Sequence, residues 1–197
     1  MEGLKLCKNK FDLKIAVLVS GSGSNLQAII DQVKNGGLNL EIGVVIADRK
    51  CFALERAERE GITTKLLDRK SERFYEDLME ILSDEFDLIV LAGFLSILPS
   101  FICRRFEKRI INIHPSLLPK YGGIGMYGIK VHEAVLQSGE KYTGASVHFV
   151  SEGVDEGKVL LQRSIKIPNG ITAKELQKYV LENVEHKLIV EVLETYC

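Results

Sequence analysis

The sequence predicts an α/β fold of Rossmann-like type: a mostly parallel sheet flanked by helices, with an antiparallel strand pair toward the C-terminus. Three observations carry this. Short runs of continuously apolar residues alternate with amphipathic stretches, as expected of strands buried on both faces with helices between them. The first run opens through glycines into a helix, VLVSGSGSN. Two late runs, 143–150 and 158–167, are joined only by SEGVDEG. That joint cannot hold a crossover helix, so the pair is antiparallel.

Each element follows from its own pattern. Residues 14–19, KIAVLV, read as a buried strand and 24–34 as a helix. LEIGVVIA at 40–47 is a second strand, and 52–60 a helix stopped by Gly61. Thr64–Leu67 is a short third strand, and 71–83 is helical with Ser71 or Asp68 as its cap. DLIVLAG at 87–93 is an apolar strand, followed by a helix near 99–107 and a strand at 110–114. Residues 119–128, PKYGGIGMYG, hold four glycines and read as a mobile loop. A helix at 129–138 precedes the antiparallel pair, and 172–195 form a long amphipathic helix capped by Thr172. No repeat or linker interrupts the pattern, so 1–197 is expected to be one domain, with 1–13 a short polar extension.

Composition narrows the function classes. With 46% hydrophobic residues the chain can bury a real core, and its net charge of −1 is spread over interspersed acids and bases. That argues against a nucleic-acid arm or a membrane-surface patch. The four cysteines, Cys7, Cys51, Cys103 and Cys197, form no C-x-x-C, so neither a zinc site nor a disulfide framework is expected. No histidine pair has ligand spacing beside a carboxylate, so no metal is expected. The N-terminus is too polar for a secretory signal and no run is long enough to span a bilayer. These features fit a cytoplasmic protein, and they leave monomer and homodimer both open.

INIHP at 111–115 holds the most specific pattern. Asn112 and His114 lie two apart in a strand and share a face, while Ile111 and Ile113 point into packing. Pro115 ends the ladder and keeps His114 extended. A neutral hydrogen-bonding amide beside a group that moves protons suits chemistry at a carbonyl. A second pattern is the turn at Gly21–Asn25. Gly21 and Gly23 permit close backbone approach, and the helix N-terminus favours an anion. A dinucleotide fingerprint would need glycine where Leu26 stands, and no Walker A motif is present, so a monophosphate fits better than a nicotinamide cofactor or ATP. The joint 151–157 offers Glu152, Asp155 and Glu156, among which spacing does not choose. His132 and His186 fall on helices, where lone histidines are usually structural; His148 lies on a strand that can end near the site. No serine or cysteine sits in a nucleophile motif beside a base, so no covalent enzyme intermediate is expected.

NIHPSLLPKY, with SGSGSN at 20–25 and LAGF at 91–94, resembles the phosphoribosylglycinamide formyltransferases, from about Lys14 to the C-terminus. NIHPSLLP is shared with the wider folate formyl-transfer group, including methionyl-tRNA formyltransferase and formyltetrahydrofolate deformylase, which carry further domains. The resemblance implies transfer of a formyl group from 10-formyltetrahydrofolate, a co-substrate, to the amine of glycinamide ribonucleotide. It implies Asn112, His114 and Asp155 as catalytic residues, with Asp155 facing the histidine and raising its pKa. Gly23, Ser24 and Asn25 would hold the phosphoribosyl substrate, with Glu185 near its glycinamide end. Leu95, Ser96, Ile97 and Leu98 would meet the folate through backbone groups, together with Asn112. Many members have an arginine where this chain has Ser96. Arg73 lies near a further folate-binding arginine, one residue out of register. The loop 119–128 is expected to close over the folate. Alternatives are another 10-formyltetrahydrofolate-using transferase or hydrolase, or a non-catalytic nucleotide-binding module.

Overall fold

The computed structural model describes residues 13–82 and 84–197. In chain order the elements begin with β1 (Leu13–Val19), α1 (Ser24–Lys34), β2 (Leu40–Ala47), α2 (Phe52–Arg59), β3 (Thr64–Leu66), α3 (Phe74–Ile81) and β4 (Leu88–Leu91). They continue with α4 (Ser100–Arg105), β5 (Ile110–His114), α5 (Ile129–Gln137), β6 (Tyr142–Phe149) and β7 (Val159–Lys166). Helix α6 (Ala173–Val180), a π turn (Leu181–Glu185) and α7 (His186–Glu194) complete the chain. The strands form one sheet in the order β3-β2-β1-β4-β5-β6-β7. Strands β1 to β5 pair in parallel, β6 joins β5 antiparallel, and β7 pairs antiparallel with β6, as their short joint requires. The winding direction reverses between β1 and β4, and in such sheets the crevice beyond the strand ends at that point takes the ligand.

Alternation along β1 builds the two layers. Ile15, Val17 and Val19 pack toward α1 and α7 through Leu26, Ile29, Leu188 and Ile189, while Ala16 and Leu18 pack toward α3 and α4 through Leu78 and Ile102. All of these are fully buried. A strand with both faces covered must be apolar throughout, which is why its sequence carries no polar alternation.

Several boundaries differ from expectation for local reasons. Helix α3 begins at Phe74 rather than at 71, because the Ser71 and Asp68 side chains accept from the amides of Arg73 and Lys70 and shape the preceding turn instead of capping a helix. Ser83, in the expected end of that helix, and the extension 1–12, with Cys7, lie outside the described residues. The helix expected at 99–107 is only Ser100–Arg105. The long C-terminal helix opens on a reciprocal capping box between Thr172 and Glu175, but residues 181–185 run in π geometry. Among the described residues no helix is long and apolar enough to cross a membrane.

Gly23 has a fold role beyond backbone access. It caps α1 at φ 71°, and a Cβ there would sit 2.6 Å from the Cβ of Ala53 on α2. Gly23→Ala combines left-handed strain of about 1–2 kcal/mol with overpacking of about 1–3 kcal/mol. The midpoint of thermal unfolding should drop by roughly 5 °C or more. Gly21→Ala, where a Cβ meets nothing within 4 Å, is the control expected to leave the midpoint unchanged. Equal midpoints for the two variants would show that α2 gives way freely.

Candidate active site

A cavity of about 960 Å³ lies beyond the carboxyl ends of β1, β4 and β5. The turn 21–25 lines one part of it, the segment 92–98 another, and Asn112, His114, His148 and Asp155 meet in its wall. The loop residues 123–128 and the α6 side chains Lys174 and Lys178 also face it.

Strand β5 aims its polar pair as the two-residue spacing requires. Ile111 and Ile113 are buried on the other face, and His114 is itself only 4% exposed. Antiparallel pairing then sets His148 of β6 directly opposite Asn112. The His148 ring lies with Nδ1 2.8 Å from the Phe149 carbonyl oxygen and Nε2 3.1 Å from Asn112 Nδ2. A proton on Nδ1 satisfies the carbonyl and leaves Nε2 to accept from the amide.

Asp155 is the hub. Its Oδ2 lies 3.4 Å from His114 Nδ1 and accepts from the Gly123 amide at 3.0 Å, while Oδ1 lies 3.4 Å from Asn112 Nδ2 and 3.5 Å from His148 Nε2. It adopts φ 59°, a conformation aspartate tolerates better than most residues, and its side chain is only 10% exposed. Asp155 is thus a shielded carboxylate of the cavity wall rather than a solvated turn residue. Burial pushes the Asp155 carboxyl upward, but the His148 and His114 rings beside it and the Gly123 amide outweigh it and hold it below the usual carboxylate range. Glu152 is turned outward to Arg104.

The expected direction for His114 is corrected. Burial dominates and holds the imidazole below its ordinary pKa; Asp155 and the Tyr121 carbonyl pull upward without overcoming it. The ring lies between those two acceptors, with Nε2 2.8 Å from Tyr121 O. Behind it, His132 is fully buried with both ring nitrogens unpartnered among the described residues, and burial lowers its pKa to about 4.

The glycine-rich loop is anchored through its first half. Tyr121 O meets His114, Gly123 N–H meets Asp155, and Lys120 pairs with Glu140. Ile124, 86% exposed, and Tyr127 stand out beyond that anchor.

The turn 21–25 delivers the α1 N-terminus to the cavity. No side chain caps this helix, and first-turn amides have no intrahelical partner. Asn25 Nδ2 donates to Glu185 Oε2 at 2.9 Å. Glu185, expected near the glycinamide end of the substrate, is buried in the cavity wall by the π turn, and its pKa is raised to about 7 by desolvation, partly offset by Asn25. A raised carboxyl pKa means the folded state binds the proton more tightly than the unfolded chain. Stability from the neutral acid is therefore full below about pH 4.5 and lost as pH rises through about 7. Glu185→Gln should accordingly gain on the native protein by up to roughly 3 kcal/mol between pH 5 and pH 8. Urea unfolding at both pH values checks this, and a pH-independent difference would remove Glu185 from the titrating groups.

The other expected site residues divide. Leu95, Ser96, Ile97 and Leu98 line the cavity. Arg73 does not: its guanidinium stays on α3 among Glu76, Asp77 and Glu80. Sequence reasoning left His148 unassigned and passed over Lys174 and Lys178, whose four-residue spacing on α6 was the available signal.

Comparison with known proteins follows the same lines. A family model described as formyl transferase matches residues 13–193. A chloroplastic phosphoribosylglycinamide formyltransferase of Arabidopsis thaliana is 41% identical over 192 residues, 93% of this chain and 65% of that protein. The phosphoribosylglycinamide formyltransferase of Escherichia coli K12 is 36% identical over 94% of this chain and 87% of its own length. The chain spans 65% and 61% of the length of two plant relatives. Among solved structures, glycinamide ribonucleotide transformylase 1 from Symbiobacterium toebii superimposes with a TM-score of 0.86 at 36% identity, covering 95% of this chain and 88% of that one.

Proposed function

The chain belongs to the formyl transferase family, and we propose that it transfers the formyl group of 10-formyltetrahydrofolate to the primary amine of glycinamide ribonucleotide in purine biosynthesis. The observation that carries this reading is the convergence of Asn112, His114, His148 and Asp155 between an uncapped helix N-terminus and the 92–98 segment, in one cavity. The nucleotide phosphate sits at the amides of Gly23, Ser24 and Asn25, with Lys174 and Lys178 supplying positive charge. Glu185 takes the glycinamide end. The folate lies along Leu95–Leu98 and beneath the outer half of loop 119–128, which closes over it.

The amine attacks the formyl carbon, and the carbonyl oxygen becomes an oxyanion. Asn112 donates to that oxygen. Its contact with Asp155 is at the long end for a hydrogen bond, so the developing charge competes well for the proton. His114 moves the proton released by the attacking amine toward the departing folate nitrogen, and Asp155 steadies the imidazolium that this transfer requires. The carbon–nitrogen bond to folate then breaks, leaving the formylated amine and tetrahydrofolate.

Mixing the protein with 10-formyltetrahydrofolate and glycinamide ribonucleotide and following the folate absorbance tests the reading. Turnover dependent on both substrates is expected. Formate release without the nucleotide would instead mark a hydrolase.

A further inference from the structure

Resting on that reading of Leu95–Leu98 as the folate wall, we propose that Asp48, which does not line the cavity, is the positioning residue of that wall. Asp48 follows the last residue of β2 and its carboxylate is fully shielded from solvent. A buried carboxylate is costly unless every oxygen is paired. Here Arg49 donates through Nε to Oδ1 and through Nη2 to Oδ2, both at 2.8 Å. Ser96 Oγ donates to Oδ2 at 2.6 Å, and the Ser20 hydroxyl joins Arg49 and Ser96 in holding the carboxyl below its usual range against burial.

The two serines connect this anchor to the cavity. Ser20 follows β1 and opens the turn to α1; its N–H donates to Gly93 O and its Oγ accepts from the Leu95 amide at 2.8 Å. Ser96 lies in the wall itself. The segment after β4 belongs to no strand or helix until Ser100, so no ladder fixes it. Its shape comes from these ties, together with the Tyr75 hydroxyl on Ile97 O at 2.8 Å. A ligand read by peptide groups needs those groups held in place before it arrives, since ordering them on binding costs affinity. The Ser96 hydroxyl is committed to Asp48, so this chain meets the ligand here through backbone rather than through a long side chain. Arg49, in turn, is held by the same carboxylate.

Losing the Ser96 tie, and with it the support of the Ser20–Leu95 tie, should cost about tenfold in donor affinity, the scale of a net hydrogen bond or two. Asp48→Asn is expected to raise the KM for 10-formyltetrahydrofolate about tenfold, with kcat at saturation and the nucleotide KM within about threefold of native. Ser96→Ala leaves the carboxylate on Arg49 and Ser20. It should show the same split, several-fold in size, and the double variant should be no worse than Asp48→Asn. Hydrogen exchange on the ligand-free protein supplies a readout independent of turnover: the Leu95 amide should exchange at least tenfold faster in Asp48→Asn, while the core amide of Leu26 stays as in native. A donor KM unchanged in both variants overturns the proposal, as does a loss spread evenly over kcat and both KM values. Should the native protein not transfer the formyl group at all, the proposed function falls. The Leu95 exchange rate then decides the positioning role, and an unchanged rate overturns it.

Discussion

Asn112→Ala is expected to lower kcat for formyl transfer by about a hundredfold to a thousandfold, the cost of one lost oxyanion donor in other acyl-transfer sites. The effect belongs in kcat because the donor is needed most when the formyl oxygen becomes charged. Both KM values should change much less. The structure adds a reason for a large effect. Asn112 is held from two sides, by His148 Nε2 at 3.1 Å and Asp155 Oδ1 at 3.4 Å, so its amide is fixed in the cavity wall before substrate arrives. Removing the amide also leaves His148 Nε2 and Asp155 Oδ1 with fewer donors in a buried wall. Some loss of stability should accompany the kinetic defect, by about 1 kcal/mol. His148→Gln, which can still accept from Asn112, should retain far more activity than Asn112→Ala. Steady-state kinetics on the two variants separate the donor from its support. A loss for Asn112→Ala confined to KM would mean that the amide holds only the ground state.

Much of this site was legible in the sequence because its strands are buried on both faces. Runs dominated by Ile, Leu and Val marked β2 and β5 to the residue, and strand periodicity alone put Asn112 and His114 on one face. His148 was not legible, because its place depends on the register between β5 and β6, which no local pattern states. The burial of Glu185 was hidden for a different reason. One π turn inserts a residue and rotates the following face by about 100°, so helical periodicity read through 181–185 gives the wrong exposure. Asp48 passed unnoticed as a polar residue in a βα connection, where acids are usually solvated. Its role appears only when Ser20 and Ser96, each far away in sequence, are seen on the same carboxylate. The pKa of His114 was misjudged because a neighbouring carboxylate can be inferred from sequence, whereas the desolvation that outweighs it cannot.

Asp155→Asn tests the mechanism at its hub. Asparagine keeps the size and also tolerates the left-handed backbone at this position, so the turn itself should survive. What disappears is the charge that draws His114 upward against burial. The His114 pKa, already below that of a free imidazole, should fall further. At neutral pH the imidazolium required during proton transfer then becomes harder to reach, and kcat should fall by between about a hundredfold and ten-thousandfold, the range for removing a carboxylate that orients a working histidine. Stability should shift with a definite sign. The native carboxyl is held below its unfolded pKa, so its contribution is present above about pH 4 and fades as pH falls through the lower folded value. The native protein should therefore exceed the asparagine variant at pH 7 and lose that advantage in acid. Loss of the carboxylate from the Gly123 amide should also loosen the anchored half of loop 119–128, seen as faster exchange at Gly123. NMR titration of the His114 ring in both proteins decides the central point. A native pKa above that of free imidazole would overturn the dominance of burial. An unchanged pKa with activity intact would remove Asp155 from the chemistry.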